Sequence, residues 1–173
     1  LVTGRILSEL DAVLPPSSQL FDAIVGENGA TLRLPGEPER TLAPRLPGEL
    51  LEALLRDGAP ARQGRVLIAT KARFAHVVVE EIARLGSDAA LVRNREELMV
   101  LPAGVTKGTG LTHALAALGL SPHSCLAVGD AENDHALLEA VELGVAEVDA
   151  VPALKARADI VLRPIVADGV WYD

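Results

Sequence analysis

Aromatic residues are almost missing, with Phe, Tyr and Trp together making up 2% of 173 residues. A core must then be built from Leu, Val, Ile and Ala. The 49% hydrophobic content supplies enough of them for one ordinary domain, or a core carrying a small insert. Cysteine occurs once, at Cys125, which excludes an internal disulfide and permits a reducing compartment, so a cytoplasmic location is expected. Positive charge is scarce: 16 Lys and Arg stand against 24 Asp and Glu, for a net charge of −8. Such a balance argues against a nucleic-acid partner, whose phosphates would be repelled. No apolar run approaches the roughly 18 residues of a membrane span, so no membrane partner is expected. Internal repeats and low-complexity tracts are absent as well.

What is present falls into two rhythms. Leu1-Val2-Thr3 reads as a strand end, and Arg5 to Leu14 carries Ile6, Leu7, Leu10, Val13 and Leu14 at helical spacing, stopped by Pro15-Pro16. Leu20 to Val25 and Ala30 to Leu34 read as strands around the tight turn Glu27-Asn28-Gly29. The passage Pro35 to Gly48 holds four prolines and is the clearest boundary in the chain. Beyond it come a helix (Glu49 to Arg56), a strand (Arg65 to Thr70) and a helix (Phe74 to Leu85, with Val77, Val78, Ile82 and Leu85 inward). Two strands follow, Asp88 to Arg93 and Glu96 to Leu101, joined at Asn94-Arg95. After Pro102-Ala103-Gly104, helices (Thr109 to Leu118, Asp134 to Val141, Pro152 to Ala158) alternate with strands (Ser124 to Val128, Leu143 to Ala146, Ile160 to Leu162). Alternation of that kind implies a parallel sheet with helices on both faces. The expected fold is α/β: a Rossmann-like parallel-sheet core formed by residues 1–34 and 103–173, with a small αβαββ cap, residues 35–102, inserted and hinged at Pro35–Gly36 and Pro102–Gly104.

Chemistry concentrates at Ala127-Val128-Gly129-Asp130-Ala131-Glu132-Asn133-Asp134. An apolar run, read as a buried strand that includes Cys125 as a small core residue, ends at Gly129 and delivers Asp130, with Asn133 and Asp134 one helical turn on. Open α/β sheets place ligands at the carboxyl ends of their strands, and hard oxygen donors on a loop suit Mg²⁺. The lesser reading of such a stretch is a surface turn that caps a helix. Thr3 ends another strand of the same sheet, and Lys107 precedes the next helix, so both can reach the acidic cluster. A hydroxyl, an ammonium and a cation site around one cavity are what a phosphoryl group requires. The histidines His76, His113, His123 and His135 show no ligand spacing and read as surface residues. The hairpin Arg93-Asn94-Arg95 reads first as a solvated turn, and can alternatively present cations to an anionic substrate.

Three of these stretches, Leu-Val-Thr-Gly-Arg, Leu-Pro-Ala-Gly-Val-Thr-Lys-Gly-Thr-Gly-Leu and Gly-Asp-Ala-Glu-Asn-Asp, resemble the second, third and fourth motifs of the haloacid dehalogenase superfamily. The likeness is to its phosphatases with an α/β cap between the second and third motifs, the Cof-like group, and Val-Gly-Glu-Asn-Gly-Ala (25–30) resembles their passage from core to cap. The resemblance implies an Mg²⁺-dependent phosphomonoester hydrolase acting on a small phosphorylated metabolite. It implies that Thr3 binds the phosphoryl group and Lys107 bridges it to the nucleophile. Asp130 would bind Mg²⁺, with Asp134 ligating or supporting it. Gly4, Asn28, Asn133, Arg93 and Arg95 would contact substrate. The family's first motif, Asp-x-Asp, supplies its nucleophile and is not in this sequence; Asp168-Gly169 does not replace it. The nucleophilic Asp is therefore expected upstream of Leu1, and the 173 residues alone are expected to be inactive. An upstream segment or a second chain is expected to supply the missing core strand, between the strand ending at Thr3 and the one ending at Asp130. A phosphomutase, or a catalytically silent domain of this fold that binds a ligand or partner, are the competing readings.

Overall fold

The computed structural model describes residues 1–14 and 19–163. The helix stop at Pro15-Pro16 and the pair Asp168-Gly169 lie outside the described residues. Leu1 to Thr3 runs beside strand β1 (Ile24–Gly26), with a parallel bridge between Val2 and Val25. Helix α1 (Leu7–Val13) connects them and buries Leu7 and Leu10 against Ile24, two positions on one helical face. β2 (Thr31–Arg33) returns antiparallel to β1 after the 27–29 turn. The Arg33 guanidinium donates to both carboxylate oxygens of Asp11, at 2.8 and 2.7 Å, and ties β2 to α1. β3 (Arg40–Thr41) then pairs with β2. It falls within the proline-rich passage, where two residues are too few to show a period.

The middle of the chain forms α2 (Gly48–Arg56), β4 (Arg62–Gln63), β5 (Ile68–Lys71), α3 (Ala75–Leu85), β6 (Ala89–Asn94) and β7 (Glu97–Pro102). Its four strands make one antiparallel sheet in the order β4-β5-β7-β6. The αβαββ expectation contains both helices and three of these strands, and β4 is the addition. Strand pleating sorts the side chains. Ile68, Leu98 and Val100 pack on Leu50 and Leu54 of α2 and Val78 of α3. Ala69, Met99 and Leu101 point the other way and pack with Ala30, Val66, Leu67 and Val105. Val77, Ile82 and Leu85 lie partly buried beside Val78, on the inward face expected for them.

The last part contains α4 (Lys107–Leu118), β8 (Leu126–Gly129), α5 (His135–Leu138), β9 (Leu143–Ala146), α6 (Pro152–Lys155) and β10 (Ile160–Val161). The three strands are parallel, in the order β10-β9-β8. Two expectations are corrected here. α4 starts at Lys107, because Thr106 and Thr109 form a reciprocal capping box two residues ahead of the expected start. The strand read as buried is not: Leu126 is 56% and Val128 44% exposed, and Cys125 is only partly buried. β8 stands at the sheet edge, and among the described residues no strand pairs with it opposite β9. No helix among the described residues is long and apolar enough to cross a membrane.

Candidate functional site

A cavity of about 480 Å³ lies between the parallel sheet's carboxyl edge and the Ala69–Met99 face of the four-stranded sheet. Thr3, Gly4, Lys107 and Asp130, far apart in sequence, all line it. The loop holding Thr3 is fixed from below. The N–H of Asn28 donates to Thr3 O at 3.0 Å and that of Glu27 to Arg5 O at 2.9 Å, while Thr3 Oγ1 accepts from Arg5 N–H at 3.2 Å.

Lys107 is the first residue of α4, where the helix dipole opposes a cation. Asp134 offsets that cost: Lys107 Nζ donates to its Oδ1 at 2.5 Å, with both groups buried. The second oxygen, Oδ2, accepts the N–H groups of Asp130 and Ala131, each at 3.0 Å. Asp134 thus spends both oxygens inside the protein, folding the loop that presents Asp130 and aiming the ammonium. Asn28 and Asn133 are also buried and do not line the cavity. They join each other, Asn133 Nδ2 donating to Asn28 Oδ1 at 2.9 Å, and so tie the 27–29 turn to the acidic loop.

The hairpin of β6 and β7 closes over one rim. Arg95, held at a left-handed φ of 52°, donates from Nη2 to Asp130 Oδ2 at 2.9 Å. Both arginines are exposed and neither is among the residues lining the cavity; Arg93 turns back to donate from Nε to Arg95 O at 3.0 Å. The pair expected to act together is therefore divided: Arg95 reaches the acidic loop and Arg93 braces the turn.

The far wall was not foreseen from sequence. Arg62 donates to Glu9 Oε1 of α1 at 2.7 Å and stands 3.5 Å from Glu97 Oε2, whose other oxygen takes Lys71. Asn94 and Arg5 complete that wall. Burial alone would raise the Glu97 carboxyl, but Lys71 and Arg62 together hold it below its ordinary value of 4.5. Burial would lower Arg62, and Glu9 and Glu97 outweigh it and raise it instead. β4 is two residues long, so no periodicity pointed to Arg62; only its pairing with β5 brings it to the cavity.

Among the described residues, no three His, Cys, Asp or Glu side chains gather into a metal cage. Mg²⁺ does not need one, since it is generally held by one or two carboxylates together with waters and phosphate oxygens. Asp130 meets that requirement. Asp130 lines the cavity, and its carboxylate already accepts a cationic group, the Arg95 guanidinium.

Residues 63–172 match the family profile of the haloacid dehalogenase-like hydrolases. A phosphoglycolate phosphatase of Methanoculleus marisnigri is 30% identical over 164 residues, covering 84% of this chain and 68% of that protein. The stress response protein YhaX of Bacillus subtilis is 40% identical over 79 residues, which are 46% of this chain and 27% of that protein. The chain thus spans only part of these relatives. A solved haloacid dehalogenase-like hydrolase from Bacteroides thetaiotaomicron shares the fold, with a TM-score of 0.72 at 18% identity, over 93% of this chain and 80% of that one.

Proposed function

Because the chain belongs to the haloacid dehalogenase-like hydrolases, we propose that it carries the phosphoryl-binding half of an Mg²⁺-dependent phosphomonoester hydrolase for a small phosphorylated metabolite. The observation that carries this reading is the convergence of Thr3, Lys107 and Asp130 on one cavity. The Thr3 hydroxyl donates to a phosphoryl oxygen, as does the Lys107 ammonium, which Asp134 holds in place. Asp130 would hold Mg²⁺, which would supply positive charge against the oxygens of the phosphoryl group. The four-stranded sheet with α2 and α3 serves as the cap, and its Ala69–Met99 face excludes water from the reacting group. Arg95 meets a second anionic or hydroxyl group of the substrate at the rim. A further strand seated along the open edge of β8, where Leu126 and Val128 offer apolar contacts, would be placed to bring a nucleophilic carboxylate to the cavity.

Asp130→Asn tests the metal assignment. The substitution preserves size and keeps the backbone N–H that Asp134 uses, so the fold is expected to hold. Calorimetric titration with Mg²⁺ should show affinity falling by about tenfold or more, which is roughly 1.4 kcal/mol or more. Unchanged affinity would take Asp130 out of the metal site.

A further inference from the structure

Glu27 is fully buried, yet it takes no part in the chemistry above. It sits at a left-handed φ of 49° in the turn between β1 and β2. Its Oε1 accepts the N–H of Arg65 at 2.7 Å, and its Oε2 accepts those of Val66 at 2.8 Å and Leu67 at 2.9 Å. These donors belong to the loop between β4 and β5, about forty residues away and on the cap side of the cavity. On the other side, the backbone N–H of the same residue holds Arg5 O, and that of Asn28 holds Thr3 O. One residue therefore grips both walls: the Thr3–Arg5 loop through its backbone, and the cap loop through its side chain.

We propose that Glu27 is a positioning residue, whose carboxylate seats the cap wall of the cavity over the phosphoryl-binding loop. The proposal rests on the phosphoryl-binding reading of that cavity. Burying a carboxylate is costly unless its oxygens are satisfied, and here three aligned N–H groups do so. The gripped loop is flanked by cavity residues, with Arg62 before it and Leu67 and Ala69 at its exit. Gly64 fits the same picture: a Cβ there would lie 2.3 Å from Glu27 Oε1, so the loop has room for the carboxylate only as glycine. The β2–β3 pairing, the Arg62–Glu9 bond and the Arg95–Asp130 bond also cross this seam, and Glu27 is the buried tie among them.

Two variants attack the contact from opposite sides in the full 173-residue chain. Glu27→Gln replaces one acceptor oxygen by an amide NH2 that faces N–H donors, and Gly64→Ala drives a methyl group into the carboxylate. Amide hydrogen exchange at Arg65, Val66 and Leu67 should speed up about tenfold or more in each, with the β6–β7 amides unchanged. Calorimetry with two probes separates positioning from general damage. Inorganic phosphate needs only the Thr3, Gly4 and Lys107 end, whereas glucose 6-phosphate must also meet the cap wall. The ratio of their dissociation constants should shift about tenfold against glucose 6-phosphate in both variants. Val78→Ala, which weakens the cap core without touching Glu27, should leave that ratio alone. Unchanged exchange at 65–67, or equal loss for both probes, overturns the proposal. If Glu27→Gln does not fold, Gly64→Ala decides on the same criteria. If the unsubstituted chain binds neither probe, the phosphoryl-binding reading fails by itself, and the exchange pattern still upholds or overturns the tie to the cap loop.

Discussion

Lys107→Ala is expected to cost about 3–5 kcal/mol of folding stability, the range for removing one partner of a buried ion pair. The side chains of Lys107 and Asp134 are 9% and 3% exposed, and their charged atoms are 2.5 Å apart. Without the ammonium, Asp134 keeps a buried charge that the N–H groups of Asp130 and Ala131 satisfy on one oxygen only. Against a total of about 5–15 kcal/mol for a domain, such a loss is large, so urea titration at low temperature is the suitable measurement. The double variant Lys107→Ala/Asp134→Asn should regain part of the loss, because no unpaired charge is left behind. Phosphate binding should stay lost in both, which separates the stabilising role of the pair from its role in the site. Strict additivity of the two single effects would show that the pair is not coupled.

Gly29→Ala is expected to be about as damaging. Gly29 has φ 108°, outside the conformations that L side chains readily adopt. A Cβ there would stand 1.9 Å from Thr106 O and 2.6 Å from its carbonyl carbon. Both atoms are backbone, and that oxygen also accepts Gly110 N–H at 3.0 Å in the first turn of α4. α4 cannot yield without moving Lys107, and Gly110 presses the same spot, since its own Cβ would lie 2.5 Å from Gly29 Cα. Overpacking and backbone strain together should cost about 3 kcal/mol or more. Gly36→Ala is the control: φ is 75° there, with nothing within 4 Å of an added Cβ, so strain of about 1–2 kcal/mol acts alone. Equal losses in the two variants by urea denaturation would mean that the contact with Thr106 is not what requires a glycine at 29.

Much of this was legible in the chain itself. Leu143 to Ala146 forms the expected strand residue for residue, and the helix–strand alternation after Gly104 gives the parallel sheet. Thr3 and Asp130 each follow a strand end, as expected, but among the described residues those strands lie in different sheets, Val2 bridging to β1 and β8 pairing with β9, so their meeting with Lys107 is a tertiary placement and not one sheet's shared edge. Tertiary contacts decided the rest. β3 and β4 are two residues each and exist through pairing with β2 and β5, not through any period of their own. Arg62, Glu9 and Glu97 meet across the cavity from separate elements, and nothing local marks them. Asp134 carries the same residue type as Asp130, and only the direction of its oxygens, into the protein, sets it apart from Asp130, which lines the cavity. Glu27 was visible as a turn residue, whereas its three N–H partners lie some forty positions on. The apolar run at Leu126 to Val128 read as buried because hydrophobicity reports what a strand can cover, not what covers it.

The most direct measurement is a calorimetric titration of the 173-residue chain with inorganic phosphate in the presence of Mg²⁺, repeated on Thr3→Val. Valine keeps the shape of threonine and removes the hydroxyl; the loop loses the Arg5 N–H contact to Oγ1 but keeps the backbone bonds from Asn28 and Glu27, and one donor to the phosphoryl oxygens is lost. The account predicts saturable one-to-one binding by the unsubstituted chain, weakened about tenfold in Thr3→Val and strengthened in both by Mg²⁺. No saturable binding, or an affinity indifferent to the Thr3 hydroxyl, would contradict the assignment of this cavity to a phosphoryl group.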